Sequence, residues 1–318
     1  MKKTLIALAA FGVVGAASAQ ATISGEVAWG YQSVKNANIT TTSQGWGVNT
    51  AKITFAGSED LGGGLTVSAS AAIDNIVEGS VVPDGKGVTL GLTGGFGSLL
   101  FATTEGGDFM LVDEVATLGN GTVRDKIIYT TPSMSGLTGS VFYSDGKITT
   151  GDNSATDLPS AGSSQDNSAT LTILTAAYAD GPIKASASTF QPGSAGTSYS
   201  SMLAWDVSYD FGVAAVRYAN ANMKLKSTNT AACGGTATGT CVATELRLTA
   251  PMGATSLTYA SVSEKATSES TARTGSYFEV AYALSKRTSA VLAMQAHKTG
   301  VSTKVTGHEN TFKLVHKF

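Results

Sequence analysis

The chain has 318 residues, 42% hydrophobic and 14% charged, with 37 Gly, 6 Pro and a formal charge of −2. An ordinary soluble domain carries roughly 25% charged residues, ~7% Gly and ~5% Pro, so charge and proline are low here and glycine is high. That balance excludes a coiled coil, a charged disordered chain and a nucleic-acid binder.

Met1-Lys2-Lys3 is a short basic start, Thr4 to Ala16 an apolar run, and Ala17-Ser18-Ala19 a small-x-small site followed by Gln20. Residues 1–19 therefore read as a secretory signal peptide, and residues 20–318 as the working domain. Loss of Lys2 and Lys3 makes the remainder more acidic. No apolar run of ~18 residues follows, so any passage through a membrane must use strands.

From Gln20 onward the recurring period is two. Ile23, Gly25, Val27, Trp29 and Tyr31 share one face, against Ser24, Glu26, Ala28 and Gly30 on the other. Ile53 and Phe55 alternate with Lys52 and Thr54, then Leu65 to Ile73 and Val88 to Leu92 continue the pattern. Leu246 and Leu248 alternate with Glu245 and Arg247, Val280 and Tyr282 with Glu279 and Ala281, and Phe312, Leu314, His316 and Phe318 end the chain. This is one half-exposed strand after another, with no helical stripe.

Tight turns such as Asp60-Leu61-Gly62-Gly63-Gly64, Asp180-Gly181-Pro182 and Asp210-Phe211-Gly212 alternate with long polar stretches near 36–46, 105–124, 145–168, 191–198, 222–241, 264–274 and 298–308. Short turn, strand, long loop, strand is the rhythm of an outer-membrane barrel. Sixteen strands share residues 20–318 at roughly 19 each, room for a tilted membrane strand plus half a turn and half a loop. Eighteen strands, at about 17 residues each, fit nearly as well. The expected class is all-β: a 16-stranded antiparallel transmembrane barrel, apolar outside and wet inside, because hydrocarbon cannot satisfy an unpaired backbone. Aromatics near strand ends, such as Trp29, Tyr129 and Tyr259, suit interfacial girdles or simply strand propensity.

Cys233 and Cys241 flank a flexible Gly/Thr/Ala segment. Export favours a loop-stapling disulfide, with two free thiols as the alternative. Catalytic groups are sparse. His297, His308 and His316 are the three histidines, and no Gly-x-Ser-x-Gly elbow, His-Glu-x-x-His or phosphate-cradling loop occurs. No enzyme activity, metal or cofactor is expected.

Three stretches resemble the Gram-negative trimeric general-diffusion porins, in particular their β-proteobacterial branch. They are Phe55-Ala56-Gly57-Ser58-Glu59-Asp60-Leu61-Gly62-Gly63-Gly64-Leu65, Tyr282-Ala283-Leu284-Ser285-Lys286-Arg287-Thr288, and the terminal His316-Lys317-Phe318. Tyr129, Pro132 and Gly136 resemble the family's strand and turn after the third loop. The resemblance implies an outer-membrane homotrimer, set in lipid, passing ions and small hydrophilic solutes down their gradients. It implies that Phe318 is the assembly signal and that the third loop, residues 105–124, folds into the lumen.

On that loop the constriction candidates are Glu105, Asp108, Asp113 and Glu114, with Arg124, Asp125 and Lys126 at its exit. Basic wall candidates are Lys52, which stands where the family usually has Arg, together with Arg217 and Arg247. Thr103 stands where the family often has a further wall Arg, so a charge is expected to be missing there. Alternation adds Lys184 and Lys313, and the acids Glu26, Asp206, Glu245 and Glu279, to the lumen. The tally leans acidic, which predicts a mildly cation-preferring or nearly unselective pore. Gly25, Ala28, Ala290 and Ala296 are expected to give small outward faces for subunit packing. Two other readings remain: a substrate-selective channel of the same fold, and a non-transport adhesin or structural surface protein.

Overall fold

The computed structural model describes residues 20–35, 41–74, 87–104, 109–112, 115, 124–144, 170–193, 199–226, 239–299 and 305–318. The expected signal segment lies outside them. Sixteen strands follow in order: β1 (Gln20–Lys35), β2 (Ser43–Gly62), β3 (Leu65–Ile73), β4 (Val88–Gly94), β5 (Gly97–Thr104), β6 (Arg124–Thr130), β7 (Leu137–Ser144) and β8 (Leu171–Asp180). The second half comprises β9 (Ile183–Pro192), β10 (Tyr199–Asp210), β11 (Ala215–Leu225), β12 (Thr240–Met252), β13 (Thr255–Ala266), β14 (Arg273–Ala283), β15 (Thr288–Thr299) and β16 (Val305–Lys317). Each strand pairs antiparallel with its sequence neighbours, and β1 pairs with β16, so the sheet closes into a barrel. The expected strand count of sixteen is the observed one.

Burial is inverted relative to a water-soluble protein. On β12, Val242, Leu246 and Leu248 are 37%, 52% and 42% exposed, while Glu245 between them is fully buried. Most of the large apolar residues face outward, where a bilayer replaces water, and most of the charged ones face the lumen. Trp29, Tyr31 and Trp46 cluster on the outer face of β1 and β2, with Trp46 5.3 Å from each of the other two ring centroids. Among the described residues the buried apolar ones form no central core. They line the inner wall, chiefly along β10–β13, with a smaller group of Ala28, Val291 and Val315.

Ala28 corrects an expectation. Even-numbered residues of β1 face inward, and Ala28 is fully buried against Val291 and Val315. It offers no outward surface for a neighbour. Ala296 does face outward and is exposed, on the face shared with Leu292 and Met294.

The seven turns at one end are built by local chemistry. The N–H of Gly62 donates to Asp60 Oδ1 at 2.8 Å, and that of Gly212 to Asp210 Oδ1 at the same distance. Both glycines sit at positive φ, 82° and 83°, where a Cβ would be strained.

The chain ends close the barrel. The Gly25 N–H donates to the Phe318 carbonyl at 3.0 Å, and the Phe318 N–H returns to the Gly25 carbonyl at 3.1 Å. The Phe318 ring lies over Gly25, so close that a Cβ there would fall 2.3 Å from Phe318 Cζ. A side chain at Gly25 must therefore displace the terminal ring. Gly25→Leu should destabilise the closed barrel by about 1–3 kcal/mol, the usual cost of overpacking. The check is the temperature at which the compact form is lost on semi-native gels; an unchanged transition would remove Gly25 from the closure.

Candidate pore constriction

Alternation on β11 places Arg217, Ala219 and Ala221 on the lumen face, and on β12 it does the same for Ala243, Glu245 and Arg247. The register sets Arg217 directly opposite Arg247. Two like charges across one strand pair repel, and two carboxylates resolve the conflict. Glu245 Oε1 accepts from Arg217 Nη1 at 2.8 Å and from Arg247 Nη2 at 2.7 Å. Asp206, on β10, accepts from Arg217 Nε at 3.2 Å and also from the Ser186 hydroxyl. The four side chains form a charge-balanced network.

The network also holds chain from outside the strands. The Leu111 N–H donates to Glu245 Oε2 at 2.7 Å, and Arg217 Nη1 donates to the Phe109 carbonyl at 3.1 Å. The Arg217 guanidinium stacks on the Phe109 ring, 4.9 Å from its centroid. Glu245 thus spends one oxygen on two arginines and the other on a backbone amide, which satisfies a carboxylate with no solvent exposure.

Small residues make the seat. Ala219, Ala221 and Ala243 have no exposed surface, and Met110, Val112 and Val115 pack there beside Met202, Met223 and Val262. Gly275 completes it, since a Cβ there would lie 2.6 Å from Val112 and 2.9 Å from Val115. The described residues between β5 and β6, Phe109–Val112 and Val115, therefore lie against the lumen wall of β10–β14.

A second buried cluster sits on the neighbouring inner positions of β13 and β14. Arg273 Nε donates to Glu264 Oε2 at 3.0 Å, and its Nη1 and Nη2 donate to the two oxygens of Glu269 at 3.2 Å each. Glu269 also accepts the Ala266 N–H at 3.1 Å, which ties the 267–272 connection to the wall. Sequence reasoning missed this triad. Glu264 has the inward parity, but its partners lie on a loop and on the next strand, so only the register reveals the group.

The remaining sequence candidates are dispersed. Glu105, Asp108, Asp113 and Glu114 lie outside the described residues, and Arg124 opens β6. Lys52 is 42% exposed and stands 3.9 Å from Asp74. Lys126 faces the lumen, donating to the Thr104 carbonyl at 2.9 Å with its ammonium 5.8 Å from the Phe142 ring. Glu279 accepts from the Tyr277 hydroxyl at 2.6 Å. Lys313 donates to Asn49 Oδ1 at 2.9 Å, and Lys317 lies 3.5 Å from Glu26.

Thr103 is not a wall position. It shares the outer face with Phe101, hydrogen-bonds Asp125, and lines an outer groove with Val88, Leu90 and Ile127. The missing wall charge expected at Thr103 was misplaced by one residue, since Ala102 and Thr104 are its inward neighbours. Cys241 is buried at the start of β12 and is disulfide-bonded; Cys233 lies outside the described residues.

A closed barrel with an apolar exterior and charged interior is the architecture of a transmembrane channel. A sequence-family model described as Gram-negative porin matches residues 4–300. The chain belongs to that family. Solved structures with the same fold include the anion-selective porin from Comamonas acidovorans, 20% identical with a TM-score of 0.73 over 95% of this chain and 100% of that one. A variant of Rh. blastica porin is 12% identical, with a TM-score of 0.65 over 94% and 100% of the two chains. OmpT of Vibrio cholerae, in its trimer form, is 12% identical, with a TM-score of 0.65 over 94% and 99%. Comparison with curated protein sequences gives no match. The protein is an outer-membrane channel for passive diffusion of ions and small solutes.

Glu245 joins both arginines to the Leu111 amide, so its removal leaves two partly buried cations facing each other and an unpaired N–H. Glu245→Ala should cost about 3–5 kcal/mol, as breaking a buried ion network does, and should free the Phe109–Val115 segment from the wall. Single-channel conductance should shift together with the melting temperature. A stable variant of unaltered conductance would show that Glu245 does not hold the segment.

Proposed function

We propose that the 105–123 connection is the constriction of this channel and that Arg217 and Arg247 anchor it rather than act as free cations of the wall. The observation that carries this reading is the closed network of Arg217, Arg247, Asp206 and Glu245 around Phe109 and Leu111. Two positive and two negative side chains cancel, so the network contributes little net field to a passing ion. Ion preference then falls to Lys52 and the other partly exposed wall charges, set against Glu105, Asp108, Asp113 and Glu114 on the loop. With the arginines neutralised, the balance is nearly unselective or mildly cation-preferring. Arg124 belongs to the loop's exit in this reading, and Cys233 pairs with Cys241 to staple the 226–239 connection.

The test is the reversal potential of single channels under a KCl gradient. The expected value is small and of the cation-preferring sign, and Lys52→Ala should move it further that way. Marked anion preference in the wild type would overturn the reading. A Lys52→Ala channel with the wild-type value would take Lys52 out of the filter.

The functional unit of this reading is a homotrimer, with a pore in each subunit and Phe318 serving as the assembly signal. The outer groove of β4–β6, about 320 Å³ and mostly apolar, suits either lipid or a neighbouring wall. Current should open in groups of three equal steps, and unheated gels should show a trimer that dissociates on boiling. Single steps from an unheated monomer would exclude that assembly.

A further inference from the structure

The lumen wall where β16, β1 and β2 meet is built differently from the sector that holds Phe109–Val112 and Val115. On its inner face lies a recess of about 420 Å³. Its floor is backbone. Gly30 pairs with Gly47 and Gln32 with Gly45, all on the lumen side. A Cβ at Gly45 or Gly47 would meet nothing within 4 Å, so both glycines open onto free space.

Thr311 of β16 lines the recess, and the charged residues two positions to either side of it, Glu309 and Lys313, share its lumen-facing side and flank the recess without lining it. In register with β1, Glu309 sits beside Val34 and Lys313 beside Gly30, with Thr311 between them. Four residues along a strand separate the two by about 13 Å. Neither has an opposite charge within 4 Å among the described residues. Glu309 is met by a neutral amide, Gln32 Nε2 at 2.7 Å, and Lys313 by another, Asn49 Oδ1 at 2.9 Å. Gln32 and Asn49 both line the recess and each uses one end this way, so the Gln32 carbonyl oxygen and the Asn49 amino group have no side-chain partner among the described residues.

We propose that this recess is a binding station for short zwitterionic peptides of two or three residues. The peptide ammonium pairs with Glu309 and its carboxylate with Lys313. Its backbone lies over the glycine floor, where the Gln32 carbonyl accepts a peptide N–H and the Asn49 amino group donates to a peptide carbonyl. An extended tripeptide spans about 10 Å, so charge-assisted hydrogen bonds at both ends bridge the separation. A neutral sugar of the same size would leave both charges uncompensated. The site requires no part of the constriction and would act as a resting point on the diffusion path.

The test uses the intact channel in a planar bilayer, with triglycine as probe and N-acetyl-triglycine amide, the same length without charges, as control. At equal millimolar concentration triglycine should block current at least fivefold more than the control. Glu309→Gln and Lys313→Gln keep the shape and should each raise the half-blocking concentration at least fivefold. Gly45→Val fills open space without strain and should do the same with the charges intact. Equal block by triglycine and its end-capped analogue would overturn the proposal. So would undiminished triglycine block in either charge variant or in Gly45→Val.

Discussion

Hydrocarbon offers no hydrogen bonds, so each backbone N–H and C=O within the membrane must find its partner in the sheet. An open sheet leaves two unpaired edges, and only closure removes both. Closure rests on β1 meeting β16, and there the terminal Phe318 exchanges both backbone bonds with Gly25. Once the cylinder closes, each residue's environment follows from parity. Leu246 and Leu248 must face lipid, and Glu245 and Arg247 must face inward. A one-residue slip would exchange those faces and place charges in the bilayer.

The same rule that makes the lumen polar creates an electrostatic problem within it. Cross-strand pairing puts Arg217 against Arg247, and nothing in the backbone relieves their repulsion. Asp206 and Glu245 do so, but withdrawing four ionised groups from water, Glu245 wholly and the others in part, brings little net stability, because desolvation offsets most of the attraction. What such a network supplies is fixed geometry. Both guanidiniums and the Glu245 carboxylate have a fixed set of partners, so Phe109 and Leu111 meet a wall whose donors and acceptors are already aimed. Arg273, gripped by Glu264 and Glu269, fixes the 267–272 connection by the same means.

The barrel was legible in the sequence because its signals are local. Period-two alternation, tight turns and the alternating connections each occupy a few residues and repeat along the whole chain. The inward placement of Asp206, Arg217, Glu245 and Arg247 could also be read from the apolar neighbours on either side. Their mutual contacts could not, because those depend on the register between strands. Thr103 shows how narrow the margin is, since a one-residue misassignment moved it from the lipid face to the wall. Ala28 fails differently: alternation groups it with Glu26 and Gly30, its small apolar side chain nevertheless suited an outward packing face, and here it fills the inner wall. The Arg273 triad was invisible because a loop residue, Glu269, supplies two of its contacts.

The inner wall is consequently divided by what its charges are bound to. Along β10–β14, Arg217, Arg247 and Arg273 are locked by carboxylates, and Phe109 and Leu111 lie against the network of the first two. Along β16, β1 and β2, Glu309 and Lys313 are met by neutral groups among the described residues: the Gln32 amide and the Thr311 hydroxyl for Glu309, the Asn49 amide for Lys313. An amide partner is exchanged more readily than an ion pair, because a solute carrying the opposite charge gains more than the amide loses. In the proposed constriction the locked charges hold the segment in place, while the loosely held ones are free to exchange partners. Salt should separate these roles physically, since screening weakens exposed charges much more than buried pairs. The shape of the passage is then largely independent of ionic strength, whereas the attraction it exerts on charged solutes is not.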